Sequence, residues 1–218
     1  MSRELLKNIR IKEEPKLTAK QMIIQLAIYF LLGAFLGVIA KYSDTVSSNS
    51  GIGMIFDIIS NTTTRLGIWV GLATFIAVWS ENPKVAAFKV FGFFAGLLIA
   101  YYIYSQMLFG FFPTYYFLRW GAIALVSPLA AYIVWFSRRE GGISAICAAL
   151  PIGLLLEQGA PFFYGYSVVL GFDLFIAILL LVILPKSKIQ YLLVVPLSIL
   201  LAFILRSSNI LLYLFGGL

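Results

Sequence analysis

The chain has 218 residues, of which 61% are hydrophobic and only 11% are charged, with a formal net charge of +7. Its mean hydropathy is +0.98. A soluble domain has about a quarter of its residues charged, so this composition excludes a fold that faces water on all sides. The apolar runs are about 20 residues long, enough to cross a lipid bilayer, and they lack period-two alternation. We therefore predict an all-α, polytopic transmembrane helical bundle.

The apolar runs predict about seven spans, with the N-terminus cytoplasmic and the C-terminus external. In that topology the inner segments hold six bases in residues 1–20 and two in each of three loops, 12 of the 16 in all. Such a bias is expected because short cytoplasmic loops collect Lys and Arg. Spans 66–80 and 142–157 are short enough to be re-entrant. The predicted spans are 21–41, 66–80, 85–109, 116–136, 142–157, 164–184 and 189–206.

Two units follow from this pattern: a cytoplasmic basic tail at residues 1–20 and a single transmembrane domain at residues 21–218. Within the first span, Gly33 and Gly37 have the spacing of a close helix–helix contact. The polar stretch after that span contains "GIGMIFDIIS", which is typical of a short amphipathic helix in the membrane interface.

Several classes of chemistry are absent from the sequence. It has no histidine, and Cys147 is its one cysteine, which excludes a His/Cys metal cluster and the commonest general base. No G-x-x-x-x-G-K-[ST], H-E-x-x-H or G-x-S-x-G motif occurs. We therefore predict no catalytic residues, no metal site and no nucleic-acid partner, and the sequence leaves the question of a cofactor open.

The charges outside the inner loops point to a binding site. Four acids (Asp44, Asp57, Glu157 and Asp173) accompany four bases (Lys41, Arg65, Arg119 and Arg206). Asp173 lies about 16 Å from the inner end of its predicted span, near the midplane, where an aspartate is costly unless it has a partner. Each of these charges also has a structural interpretation, such as a helix end in water or an ion pair.

We predict Asp173, Arg119, Glu157, Arg65 and Gln158 as solute-binding residues. Glu157 and Gln158 end the short span that Pro151 interrupts, so they are expected below the membrane surface. Arg119 is the predicted partner of Asp173. The aromatic run "YYIYSQMLFGFFPTYYF" is interpreted first as a membrane-interface belt, with a stacking platform for a ligand as the alternative.

Residues 65–160 contain a series of word-like segments, among them "RLGIWVGLATFIAVWSENPKVAAFKVFGFFAGLLIAYYIY", "GFFPTYYFLRW", "SPLAAYIVWF" and "LPIGLLLEQG". With these segments the chain resembles a family of small bacterial integral membrane proteins of unknown function, designated DUF6518-like. The resemblance implies a multi-pass protein of the bacterial plasma membrane. It carries no functional residue over to this chain.

The sequence is compatible with three functions. The first is a membrane protein that binds or transports a small solute or ion through an outward-facing polar site. The second is an accessory or structural subunit that packs against another membrane protein through Gly33, Gly37 and the small residues of "GGISAICAALPIG". The third and least favoured is an intramembrane enzyme on a lipid-linked substrate, since the sequence leans away from an enzyme.

Overall fold

A computed structural model describes residues 18–46 and 51–211, and every element within these ranges is helical. Most of the predicted basic tail, residues 1–17, lies outside the described residues, as do 47–50 and 212–218. We number the α-helices in chain order. They are α1 Ala19–Ser43, α2 Gly51–Thr63, α3 Leu66–Val78, α4 Pro83–Phe109, α5 Thr114–Val134, α6 Gly142–Gly159, α7 Phe162–Gly165, α8 Val168–Ile183 and α9 Lys188–Ser208, with a 3-10 turn at Trp135–Arg138 after α5.

Local sequence explains where the long helices begin. Thr18 and Gln21 form a reciprocal capping box before α1, in which the Thr18 side chain accepts from the Gln21 backbone N–H. The Asn82 side chain accepts from the Val85 backbone N–H at the start of α4, ahead of Pro83, which has no N–H to satisfy. Ser187 caps α9 through the backbone N–H of Gln190.

Five helical segments are long and apolar enough to cross a membrane: Ala19–Ser43, Pro83–Phe109, Thr114–Arg138, Gly142–Gly165 and Lys188–Ser208. Two shorter apolar helices, Leu66–Val78 and Val168–Ile183, complete the bundle. The helical membrane fold is thus confirmed in its coarse form. Of the two spans predicted to be short, 66–80 is short in the structure, whereas the segment that begins at Gly142 reaches full length.

The sixth predicted span, 164–184, begins later than expected. Tyr166 has a left-handed conformation (φ 46°) and ends the single turn of α7, and Ser167 is extended. A side chain in the left-handed region cannot continue a helix, so α8 starts at Val168. Asp173 is therefore the sixth residue of α8, about 8 Å from the start of the helix, and not halfway along its span.

The core lies around α4, which packs against α1, α3 and α5. A glycine pair on each helix lets the backbones of α1 and α4 come close. A Cβ atom at Gly33 or Gly37 would overlap the backbone of α4, and one at Gly96 would overlap the backbone of α1. The predicted close contact of Gly33 and Gly37 is confirmed, and its partner is in the same chain.

The bundle has two polar ends. We call the first the Arg65 end; it holds Lys41, Asp44, Arg65 and Asp173. The opposite Glu81 end joins the loops between α3 and α4, between α5 and α6, and between α8 and α9. There the Trp135 Nε1–H donates to the Ser80 carbonyl at 2.8 Å, and Gln190 Nε2 donates to the Ser137 and Arg139 carbonyls at 3.2 and 3.1 Å.

Candidate solute-binding site

Asp173 is 1% exposed and forms an ion pair with Arg65, whose Nε donates to the Asp173 Oδ2 at 3.0 Å. The predicted partner, Arg119, was wrong. Arg119 lies on α5 with its guanidinium 4.1 Å from the ring centroid of Tyr115, and it forms no ion pair within residues 18–46 and 51–211. The partner of Asp173 is the residue that immediately precedes α3.

Four of the five predicted site residues come together in one cluster. The Arg65 Nη2 donates to the Gln158 carbonyl at 2.7 Å and to the Gln158 Oε1 at 3.4 Å. The Gln158 Nε2 in turn donates to the Glu157 Oε2 at 2.9 Å. We call Arg65, Asp173, Glu157 and Gln158 the charged cluster; it joins the start of α3 to the end of α6 and the first half of α8.

The sequence of α3 makes room for this cluster. A Cβ atom at Gly67 would overlap the carboxylate of Asp173, so that only a glycine fits beside it. Gly67 is the second residue of α3, where backbone N–H groups have no helical acceptor and the helix dipole is positive. The carboxylate therefore meets two positive groups, the Arg65 guanidinium and the first turn of α3. Its Oδ1 nevertheless has no hydrogen-bond partner in the described part of the chain.

A cavity of about 630 Å³ lies beside the α2–α3 junction, on the side away from the charged cluster. We call it the aromatic cavity, because seven of its lining residues are aromatic. Thr63, Thr64 and Trp69 form the wall nearest the charged cluster. The aromatic lining residues are Trp69, Tyr101, Tyr102, Phe109, Phe111, Tyr116 and Trp120.

One ion pair stands in the wall of the aromatic cavity. The Lys41 Nζ donates to the Asp44 Oδ2 at 3.3 Å and lies 5.1 and 4.8 Å from the ring centroids of Tyr101 and Phe109. Asp44 also accepts from the Tyr101 hydroxyl at 2.8 Å and from the Ser60 hydroxyl at 2.6 Å. Sequence reasoning interpreted Lys41 and Asp44 as a helix end in water, and it gave the ligand platform of the aromatic run second place.

Helix α2 adjoins the cavity at Thr63 and is the amphipathic segment that the sequence predicted. Its apolar side chains Ile52, Met54 and Ile55 are exposed, and Tyr42 on α1 contacts Phe56 edge to face at 5.5 Å. The Ser60–Asp44 hydrogen bond fixes the end of α2 nearest the cavity. These contacts place α2 beside the opening of the cavity.

No group of three or more His, Cys, Asp or Glu side chains that could hold a metal ion occurs in the part of the chain that the structure describes. The buried thiol of Cys147 stands alone.

Comparisons with protein-family models, with curated proteins and with solved structures give no match to the chain. The resemblance to the DUF6518-like family therefore stays a prediction.

Proposed function

We propose that this protein binds a small solute in the aromatic cavity and carries it across the membrane. The observation that supports the proposal most strongly is the cavity itself. Its volume of about 630 Å³ falls within the range of small-molecule sites, which are concave, mainly apolar and provided with a few polar groups. The solute enters the aromatic cavity, while the charged cluster lies behind its wall.

The topology that we propose is the seven-span one, with the N-terminus in the cytoplasm and the Arg65 end outside, in a bacterial plasma membrane. The loops of the Glu81 end support this orientation. They carry Lys84, Arg138, Arg139, Lys186 and Lys188, a concentration of bases that is typical of the cytoplasmic side. In this orientation the aromatic cavity opens outward.

The charged cluster has a positioning role in this proposal. Arg65 is bound to Gln158 and Asp173, and Trp69 follows it by one helical turn and forms part of the cavity wall. The Trp69 indole donates to the Thr63 carbonyl at 2.7 Å, which fixes the corner between α2 and α3. The cluster thus holds the cavity wall from behind. Arg119 has a different position, next to the lining residue Trp120.

The accessory-subunit alternative loses part of its support. It relied on Gly33, Gly37 and the small residues of "GGISAICAALPIG" as faces for another protein. The two glycines pack against α4, and Ala145, Ala148 and Gly153 are buried inside the bundle. These faces are occupied within the chain.

The experiment that tests the proposal identifies small molecules that co-purify with the protein. Protein purified from its own membrane is compared with Thr64→Trp, which fills the exposed mouth of the cavity, and with Asn61→Trp, one turn earlier on α2 and outside the lining. We expect a bound small molecule in mass spectra of the wild type and Asn61→Trp and its loss in Thr64→Trp. The same retained molecules in all three proteins would contradict the proposal.

A further inference from the structure

Two of the seven aromatic rings that line the cavity already have a resident cation beside them. Aromatic walls commonly bind cations through the negative faces of their rings. Here the Lys41 ammonium lies within 5.1 Å of the Tyr101 ring and 4.8 Å of the Phe109 ring. A cationic solute at these rings would meet a like charge at short range, which is repulsive.

The single acid of the cavity wall is also fully engaged. The Asp44 Oδ2 accepts from the Lys41 ammonium and the Tyr101 hydroxyl, and its Oδ1 accepts from the Ser60 hydroxyl. The charge of Asp44 is already balanced by Lys41, so that a cationic solute gains little attraction from it, and an anionic solute would have to displace Asp44 from Lys41. A charge that enters an apolar site without a free counter-charge is strongly disfavoured.

The polar groups that remain available are uncharged donors. The Tyr102 hydroxyl and the Trp120 indole N–H both belong to lining residues, and neither donates a hydrogen bond within residues 18–46 and 51–211. Trp69 differs, because its N–H is used by the Thr63 carbonyl. The cavity therefore offers ring faces, hydroxyl groups and one indole N–H that can donate hydrogen bonds, and it offers no free charge of either sign.

From this arrangement we infer that the solute is an uncharged, ring-bearing molecule that carries hydrogen-bond acceptors. Its ring stacks on the aromatic wall, and its acceptors meet Tyr102 and Trp120. The Lys41–Asp44 pair is a selectivity element that rejects charged analogues. This inference rests on the proposed function, since it concerns the solute of the same cavity.

The test uses three probes with one ring system and three charges: naphthalene-2-carboxamide, naphthalene-2-carboxylate and naphthalene-2-carboxamidine. They are neutral, anionic and cationic at pH 7 and nearly equal in shape. Binding is measured by equilibrium dialysis against the full chain in lipid nanodiscs, with empty nanodiscs to correct for partition into lipid. We expect the carboxamide to bind at least about tenfold more tightly than either ion, which corresponds to about 1.4 kcal/mol.

The Thr64→Trp variant separates two kinds of failure. If an ion binds as tightly as the carboxamide and Thr64→Trp abolishes that binding, the cavity function stands and the uncharged-solute inference is overturned. If no probe shows binding that depends on Thr64→Trp, the proposed function itself fails.

A second variant tests the role of the ion pair directly. Lys41→Met removes the ammonium from the rings and leaves the Asp44 carboxylate without it, while the long apolar side chain keeps the packing. We expect this variant to gain affinity for the cationic carboxamidine by about tenfold and to lose its preference for the carboxamide. An unchanged order of the three probes in a folded Lys41→Met protein would overturn the inference.

Discussion

Each end of the bundle holds one ion pair with a deeply buried partner, Arg65–Asp173 at one end and Glu81–Lys89 at the other, and the buried charges have opposite signs. At the Arg65 end the buried partner is the acid, with Asp173 1% and Arg65 20% exposed at the side chain. At the Glu81 end the buried partner is the base, with Lys89 7% and Glu81 29% exposed and 2.7 Å between Nζ and Oε2. In both pairs the partner nearer water can be hydrated alone, but the buried partner cannot. Removal of the partly exposed partner should therefore destabilise each pair more than removal of the buried one. That partner is Arg65 at the Arg65 end and Glu81 at the Glu81 end.

The two pairs also differ in how completely they are satisfied. Both oxygens of Glu81 are used, since Oε1 accepts from the Gln25 Nε2 at 2.7 Å and Oε2 accepts from Lys89. At the other end the Asp173 Oδ1 has no donor within the described chain. The Glu81 pair joins residues eight positions apart, whereas the Arg65 pair joins residues 108 positions apart. The Glu81 carboxylate is thus satisfied at both oxygens, whereas the Asp173 carboxylate is satisfied at one of its two oxygens.

The largest expected effect is the loss of Arg65. Arg65→Ala leaves the buried Asp173 carboxylate without its counter-charge and should lower the free energy of unfolding by about 3–5 kcal/mol. Asp173→Asn should cost clearly less, because the Arg65 guanidinium is partly exposed to water. Both are measured by equilibrium unfolding in mixed micelles. An equal loss of unfolding free energy in the two variants would contradict the idea that the burial of Asp173 makes Arg65 the more important partner.

At the Glu81 end the order should reverse. Glu81→Ala leaves the Lys89 ammonium buried without an acceptor and should cost about 2–3 kcal/mol, the range for an unsatisfied buried charged group. Lys89→Met should cost less, since Glu81 can turn to water and keeps Gln25. The same unfolding measurement applies. If Lys89→Met lowers the free energy of unfolding more than Glu81→Ala does, the burial of the base is not what decides the stability of this pair.

The α1–α4 contact connects the two ends and gives a smaller expected effect. Gly96→Ala would push a methyl group into the backbone of α1, and overpacking of this kind costs about 1–3 kcal/mol. Gly121→Ala on α5 is the matched control, because a Cβ atom there meets nothing within 4 Å. The control should be neutral or slightly stabilising in the unfolding assay. Equal losses in the two variants would rule out the close contact as the cause.

The smallest expected effect is a pH dependence at the Glu81 end. Burial alone would raise the pKa of Glu81, but hydrogen bonds from Lys89, from its own backbone N–H and from Gln25 bring this pKa below its ordinary value. A carboxyl group with a depressed pKa stabilises the fold fully above its unfolded pKa, and this contribution is lost as the pH falls through the folded pKa.

This dependence is checked against Glu81→Gln. The difference in unfolding free energy between the wild type and Glu81→Gln should be constant near neutral pH. It should shrink as the pH falls below the ordinary carboxyl range. A difference that grows as the pH falls would mean that folding raises the pKa of Glu81, and it would contradict the hydrogen-bond network around this residue.

Hydropathy was sufficient to predict a bundle of membrane-compatible helices and most of the helix positions, because long apolar runs dictate them locally. The partner of Asp173 could not be predicted in the same way. Arg65 is 108 residues away, and only the packing of α3 against α6 and α8 decides that it reaches Asp173 ahead of Arg119. The late start of α8 depends on a single backbone conformation at Tyr166, which has no strong signature in a non-glycine residue.

The aromatic cavity was hidden for a different reason. Tyr and Phe at a membrane-interface turn have the same sequence pattern whether they face lipid or line a cavity. Lys41 and Asp44 likewise fit the common pattern of a helix end. Tyr102 lines the cavity and is 3% exposed, whereas Tyr115 of the same aromatic run lies outside the lining and is 59% exposed. Only tertiary packing separates the two environments.

The lengths of α3 and α8 have a consequence for the surrounding lipid. At about 1.5 Å per residue, their 13 and 16 residues give helices of about 20 and 24 Å, against a hydrocarbon layer of about 30 Å. The outer side chains of α8, such as Phe175, Ile178 and Val182, are exposed along its length. In a bilayer that fits the 27-residue α4, α8 is too short, and such a mismatch is met by local thinning of the lipid, by snorkelling of flanking side chains or by association with another helix. Because α8 starts late at the Arg65 end, Asp173 lies only about 8 Å from the start of its helix, on the side where this adaptation brings the polar interface nearest.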